Sequence, residues 1–114
     1  MLQLNNTQMK IMTTTMLKST QILKPEIQRI IDNNKVYDIV NLQLDFFKKH
    51  NHFNFSASNP LNLHYFKDQY WLIDGQHRLA AMETLYTNHG HNIETYVLII
   101  SVDTYEELKL NYEM

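Results

Sequence analysis

Residues 74–78 of the 114-residue chain place several hydrogen-bonding side chains next to a glycine. They read Asp-Gly-Gln-His-Arg and separate an apolar run from a segment with helical spacing. A helix that begins here leaves its first backbone N–H groups without internal partners, and these groups carry a partial positive charge. Arg78 adds a planar fork of donors suited to phosphate or carboxylate, and Gly75 lets an oxygen approach the backbone closely. The pattern therefore predicts an anion site.

The same five residues also admit a purely structural interpretation. A strand, an aspartate, a glycine and a helix form a common turn, in which Asp74 only caps the helix. Arg78 would then only pair with Asp74 or Glu83. In the functional interpretation, Asp74 instead holds Arg78, a magnesium ion or a ligand hydroxyl, and His77 donates to the anion. The spacing alone leaves the two interpretations level.

Apolar periodicity and turn residues predict an α+β fold with a small mixed sheet and helices. The predicted strands cover residues 9–17, 61–66, 70–73 and 95–102, and the predicted helices cover residues 35–50, 76–86 and 105–112. Residues 1–8 are expected to be frayed. Residues 18–24 could extend the first strand or pair with it, and residues 25–32 fit either a short helix or an extended loop. The apolar run 95–102 is predicted to be a central strand.

Composition fits a single globular domain over residues 1–114, with 44% hydrophobic and 19% charged residues. The absence of cysteine excludes disulfides, thiolate metal sites and cysteine nucleophiles, and it fits a reducing, cytoplasmic location. No apolar run is long enough to span a membrane, so no membrane partner is expected. A net charge of −2 gives no support to a dedicated DNA-binding surface.

Residues 73–81, Ile-Asp-Gly-Gln-His-Arg-Leu-Ala-Ala, resemble the signature of the ParB/sulfiredoxin-like superfamily. The resemblance is to its DGQHR branch, which includes the DndB-type proteins of DNA phosphorothioation systems. The order of elements along the chain is also similar to that of the superfamily. The Gln28-Arg29 pair is followed by a predicted helix, a hairpin, the Asp-Gly-Gln-His-Arg turn and the strand 95–102. Residues 106–111 resemble a helix that often follows. The resemblance covers the chain from about residue 20 onwards.

This resemblance implies a nucleotide-binding fold with a nucleoside triphosphate and Mg²⁺ as cofactors. The residues carried over as phosphate-binding are Gly75, Gln76, His77 and Arg78, with Gln28 and Arg29 as a second wall. Asp74 would contact magnesium or the ribose, and the implied catalytic residues are Asp74, His77 and Glu26. Glu26 matches an upstream base of the superfamily's serine kinases, although a first-turn helix glutamate is the simpler interpretation.

Three functions remain open at this stage. The first is an NTP-binding domain, a slow NTPase or a nuclease-associated module, in a DNA-related or defence-related system that reaches DNA through a partner protein. The second is a small-molecule phosphotransferase similar to free serine kinases, and the third is a non-enzymatic interaction module. Sulfiredoxin chemistry is excluded because it needs a cysteine. No helix-turn-helix region follows, so a role in DNA segregation is not expected. The chain is expected to be either a minimal or a truncated version, and the 95–102 strand could support a homodimer.

Histidines and aromatic residues offer weaker candidates. The His50/His52 and His89/His91 pairs are interpreted as solvated loop residues rather than as zinc ligands. His64 is predicted to be a cross-strand partner. Tyr65 or Tyr70, taken to lie near the turn, could stack on a nucleobase.

Overall fold

A computed structural model describes residues 7–23, 31–55 and 60–103 of the chain. The elements are β1 (Thr7–Thr13), α1 (Thr14–Ser19), α2 (Asn33–His50), β2 (Leu61–Phe66), β3 (Gln69–Asp74), α3 (Gln76–His89) and β4 (Glu94–Ser101). The prediction of an α+β fold with a mixed sheet is confirmed. The narrower ParB/sulfiredoxin-like fold stays a prediction. No helix within the described ranges is long and apolar enough to cross a membrane.

The four strands lie in the order β1-β4-β2-β3, so β4 is an inner strand as predicted. It runs antiparallel to β1 and parallel to β2, and β3 forms an antiparallel hairpin with β2. Leu61 lies opposite Val97, and Asn62 lies opposite Asp74. The starts of β2 and β4 and the end of β3 therefore share one end of the sheet. This end is called the turn end below.

One face of the sheet packs against α3 to form the core. The sheet contributes Leu61, Leu63, Leu72 and Val97, and α3 contributes Leu79, Met82 and Leu85, all of them buried. Burying one such side chain contributes roughly 1.5–3 kcal/mol, so these contacts fix α3 on the sheet. Helix α2 packs against α3 and adds Val36 and Val40.

The N-terminal region differs most from the prediction. Strand β1 begins at Thr7, so Thr7 and Gln8 are not frayed, and it ends at Thr13 rather than at residue 17. Helix α1 begins at Thr14 because two hydrogen bonds stabilise its start. The Thr13 side chain caps the helix, and the Thr14 N–H donates to the Ile93 carbonyl at 2.9 Å. Residues 18 and 19 belong to this helix, so residues 18–23 do not extend the strand.

The remaining boundaries agree with the prediction within a few residues. Helix α2 begins two residues earlier than predicted, where the Asp32 carboxylate accepts from the Asn34 N–H at 2.9 Å. Helix α3 continues to His89 and ends at Gly90, whose φ of +73° suits a helix C-terminus. The interpretations for residues 25–30 and the predicted helix 105–112 lie outside the described residues.

His64 and Trp71 are cross-strand partners, which confirms the prediction for His64. His64 is only 3% exposed, and its Nδ1 makes no hydrogen bond to any described residue. The Trp71 indole N–H also has no acceptor within the described ranges. Burial lowers the pKa of His64, because an imidazolium loses hydration there.

Acidification is expected to destabilise the protein through His64. Its pKa is lower in the folded chain, so the unfolded chain takes up the proton first as the pH falls. The free energy of unfolding should therefore decrease once the pH drops below about 6.5, the ordinary histidine pKa. In His64→Phe, which cannot titrate, urea unfolding at a series of pH values should show a flatter curve than the wild type. Parallel curves would contradict this assignment.

Candidate anion-binding site

The Asp74–Arg78 turn lies at the turn end of the sheet, between β3 and α3. Asp74 is the last residue of β3, and α3 begins at Gln76. Gly75 joins them with φ +104°. A Cβ at Gly75 would lie 2.5 Å from the Leu61 Cδ2 and 3.5 Å from the Leu61 Cα. Both the backbone angle and the close approach therefore require glycine here.

Helix α3 begins without a side-chain cap and without an acidic residue in its first turn. Helices α1 and α2, by contrast, are capped by Thr13 and Asp32. The first backbone hydrogen bond of α3 joins the Leu79 N–H to the Gly75 carbonyl at 2.9 Å. The N–H groups of residues 76–78 precede this bond and have no acceptor within the described part of the chain. Asp74 therefore does not act as a cap, contrary to the structural interpretation of the turn.

The Arg78 guanidinium folds back over Gly75 and the start of β2. Its Nη2 donates to the Pro60 carbonyl at 3.0 Å and lies 3.1 Å from the position a Cβ on Gly75 would take. Among the described residues it forms no ion pair, so the expected pairing with Asp74 or Glu83 is not present. Burial lowers the pKa of Arg78 and the nearby Asp74 charge opposes this, but a guanidinium remains protonated. Of its five N–H donors, the hydrogen bond to Pro60 accounts for one.

His77 joins the turn to the start of α2. Its Nε2 accepts a hydrogen bond from the Asp32 N–H at 3.0 Å. This nitrogen is therefore unprotonated, and the proton of the neutral ring lies on Nδ1. A ligand could receive a hydrogen bond from Nδ1 while the contact to Asp32 is kept.

Of the described residues on either side of segment 24–30, Asp32 contacts the turn through His77. Leu23, on the other side, forms a bridge to β3 away from the turn, with its N–H donating to the Tyr70 carbonyl at 2.9 Å. The predicted contributions of Glu26, Gln28 and Arg29 lie outside the described residues.

Asp74 is the described residue that the sequence assigned to magnesium. It is exposed, and the described part of the chain contains no group of three histidine or acidic side chains that could hold a metal ion. Mg²⁺ commonly binds one or two carboxylates and completes its shell with phosphate oxygens and water. Asp74 could therefore serve as one ligand of a Mg²⁺–phosphate complex.

Two sequence interpretations are wrong in position. Tyr65 and Tyr70 pair with each other, with ring centroids 4.9 Å apart, beside the hairpin turn at the far end of β3 from Asp74. They are therefore too far from the turn to stack on a base bound there. His91 is not a solvated loop residue, because it packs against Phe47 and Phe53 at centroid distances of 5.0 and 4.9 Å.

Three partners of the turn were not found from the sequence. They are Pro60, Leu61 and Asp32, whose contacts with the turn are a carbonyl, an aliphatic side chain and a backbone N–H. The residue type does not show which backbone carbonyl or N–H group a side chain will contact, so these contacts can be identified only from the fold. A cleft of about 400 Å³ also opens at the turn end, but none of residues 74–78 lines it.

No protein-family model and no curated protein matches the chain. The ParB-like assignment, which rests on residues 73–81, therefore stays a prediction.

Substituting the two described glycines should separate backbone strain from lack of space. Gly90→Ala is expected to cost about 1–2 kcal/mol, because its backbone is left-handed but nothing lies within 4 Å of the new methyl group. Gly75→Ala should cost at least about 1 kcal/mol more, because its methyl group also overlaps Leu61. Urea denaturation of both variants gives the comparison. Equal losses would mean that the contact with Leu61 relaxes freely.

His77→Ala should expose the amide of Asp32. Loss of the Nε2 acceptor removes a hydrogen bond with a net contribution of about 0.5–1.5 kcal/mol. Hydrogen exchange followed by NMR should show faster exchange at Asp32. The Asn51 amide, which bonds to the Phe47 carbonyl at the other end of α2, is the internal control and should not change. Unchanged exchange at Asp32 would contradict the His77 contact.

Proposed function

We propose that the chain binds the phosphate groups of a nucleoside triphosphate at residues 75–78. The observation that carries this proposal is the uncapped start of α3, with Arg78 in a first turn that contains no acidic residue. These features act against helix stability. Glycine at the N-cap costs only a few tenths of a kcal/mol relative to a capping side chain, and a cation near a helix N-terminus is unfavourable by about 0.3–1 kcal/mol. A bound anion would satisfy the free N–H groups and neutralise the cation at the same time.

Each residue of the turn has a role that its position allows. Gly75 lets α3 begin directly against Leu61, and the N–H groups of residues 76–78 donate to a phosphate oxygen. The Arg78 guanidinium, held next to Pro60, donates to the phosphate with its remaining N–H groups, and His77 donates to it from Nδ1. The Gln76 side chain is half-buried and has no partner among the described residues, so it also can donate. Asp74, exposed at the rim, meets the Mg²⁺ that accompanies the phosphates.

Binding is better supported than hydrolysis. A hydrolase needs a base that orients water, and the resemblance assigned this part to Asp74, His77 or Glu26. A general base would need the lone pair of His77 Nε2, but that lone pair already accepts the hydrogen bond from the Asp32 N–H. The other ring nitrogen, Nδ1, carries the proton and can only donate. Asp74 remains as the described base. The phosphotransferase alternative depends on Glu26, which lies outside the described residues. The DNA-related or defence-related setting comes from the resemblance alone.

One observation favours the interaction-module alternative. The hydrogen bond from Arg78 to Pro60 is part-buried and joins α3 to the start of β2. Such a contact could be the whole role of Arg78, which would then stabilise the fold without binding a ligand. In that case Arg78 would matter for folding, and no ligand would depend on it.

A thermal-shift titration separates the two functions. With Mg²⁺ present, ATP, CTP, GTP or UTP at about 100 times its Kd should stabilise the folded chain by about 2.7 kcal/mol and raise Tm by several degrees. Arg78→Ala should remove this shift, and Arg78→Lys should retain part of it, because lysine keeps the charge but loses the fork. Lys48→Ala, an exposed cation in the last turn of α2, is the matched control and should keep the full shift.

Two outcomes count against the proposed function. The absence of a shift with all four nucleotides would exclude NTP binding by this chain. A lower Tm in Arg78→Ala with an unchanged ligand shift would favour the interaction module.

A further inference from the structure

Strand β1 forms one edge of the sheet and has no described strand on its outer side. It pairs with β4 alone, at the opposite edge from β3 and the turn that follows β3. The edge at β3 differs, because Leu23 covers part of it. The Leu23 N–H donates to the Tyr70 carbonyl, and its carbonyl accepts from the Leu72 N–H, both at 2.9 Å. We call the outer side of residues 7–11 the β1 edge, and no described residue forms a backbone hydrogen bond there.

The backbone groups of β1 point alternately at β4 and at the β1 edge. The Thr14 N–H, just past the strand, donates to the Ile93 carbonyl, which marks these two residues as a hydrogen-bonded pair. The antiparallel register continues from this pair along all of β1. Hydrogen-bonded and non-hydrogen-bonded pairs alternate in such a ladder, so residues 8, 10 and 12 direct their N–H and C=O groups at β4. The N–H and C=O groups of Met9 and Ile11 therefore point outwards, where another strand can pair with them.

The side chains of the β1 edge divide between the two faces of the sheet. Met12 is buried in the core and marks the face that packs against α3. Met9 and Ile11 lie on the other face and are 51% and 54% exposed. Their cross-strand partners, Leu98 and Tyr96, continue the same apolar strip on β4. An added strand with apolar side chains on this face would extend the strip and cover part of Met9 and Ile11.

Lys10 limits which strand the β1 edge can accept. It lies on the α3 face opposite Val97, is exposed, and forms no ion pair with a described residue. A lysine on a sheet edge opposes pairing with a neutral or basic strand, because its charge loses water without gaining a partner. A second copy of β1 cannot supply that partner, since residues 7–13 contain Lys10 and no acidic residue. An acidic side chain on the added strand can supply it.

We infer that the β1 edge binds an extended peptide in which apolar and acidic residues alternate. The peptide backbone pairs with the outward groups of Met9 and Ile11, which is strand addition to a sheet edge. Because the side chains of a strand alternate in direction, its apolar residues contact Met9 and Ile11 while its acidic residue lies beside Lys10. The inference is independent of the proposed function, because it involves none of residues 74–78.

Two synthetic heptapeptides with blocked ends test the inference on the full chain. One alternates valine with glutamate, and the other alternates valine with lysine. In an NMR titration, the glutamate peptide should slow hydrogen exchange at the amides of Met9 and Ile11. The amides of Gln8 and Lys10 already bond to β4, so they are the internal control and should change little. The lysine peptide should bind about fivefold more weakly, a ratio that one cross-strand charge pair can provide.

Variants separate the charge of Lys10 from the backbone pairing. Lys10→Glu should reverse the order of the two peptides. Lys35→Glu, the same change at an exposed lysine of α2, is the matched control and should leave the order unchanged. Ile11→Pro removes an outward N–H and keeps the ladder to β4, so it should weaken the glutamate peptide about tenfold. Circular dichroism checks that each variant is folded, and if Ile11→Pro is not, the result for Lys10→Glu still decides.

Three results would overturn the inference. If neither peptide changes hydrogen exchange at Met9 and Ile11, the β1 edge does not accept a strand. If the two peptides bind equally well, or Lys10→Glu leaves their order unchanged, Lys10 does not select an acidic partner. If Met9 and Ile11 are protected without peptide and light scattering gives the mass of two chains, a second copy occupies the edge instead.

Discussion

The approach of Gly75 to Leu61 is the contact on which the candidate site depends. Leu61 is fully buried and begins β2, so the backbone at Gly75 is pressed against the end of the core. This approach lets α3 begin directly after β3 and brings the Arg78 guanidinium over the carbonyl of Pro60. A larger residue would move the start of the helix away from the sheet and separate Arg78 from Pro60. The free N–H groups and the Arg78 guanidinium are thus positioned by an apolar contact, that of Gly75 with Leu61.

The sequence predicted the helices and strands that are marked by periodic apolar residues or by turn residues next to them in the chain. The α2 and α3 helices, the β2–β3 hairpin and the inner strand β4 follow from apolar spacing and turn residues. The switch from strand to helix at Thr14 did not, because threonine favours strands and the hydrogen bonds to Ile93 join residues 79 positions apart. The misplacement of Tyr70 had a simpler origin. A residue beside a hairpin turn cannot also lie at the other end of the same strand.

The candidate site was only partly accessible to sequence reasoning, for a physical reason. Residues 74–78 are contiguous, and their donors are visible in the residue types. The contacts of Arg78 with Pro60 and of His77 with Asp32 join residues 18 and 45 positions apart, and they can be recognised only when the fold is known. Pro60 lies beside the turn because the antiparallel pairing of β2 with β3 brings the start of β2 and the end of β3 to one end of the sheet. Topology, which no single motif encodes, places the Pro60 carbonyl next to the Arg78 guanidinium.

The antiparallel pairing of β1 with β4 constrains the order in which the chain can fold during synthesis. Among the described strands, β1 pairs only with β4, with Thr7 opposite Ile100. The hairpin of β2 and β3 can close as soon as it leaves the ribosome, but β1 has no strand partner until the last described strand has emerged. Such non-local pairing slows folding, because the closure of a long loop precedes the contacts that compensate for it. Strand β1, which carries Met9 and Ile11, is therefore the described strand that stays unpaired longest in the nascent chain.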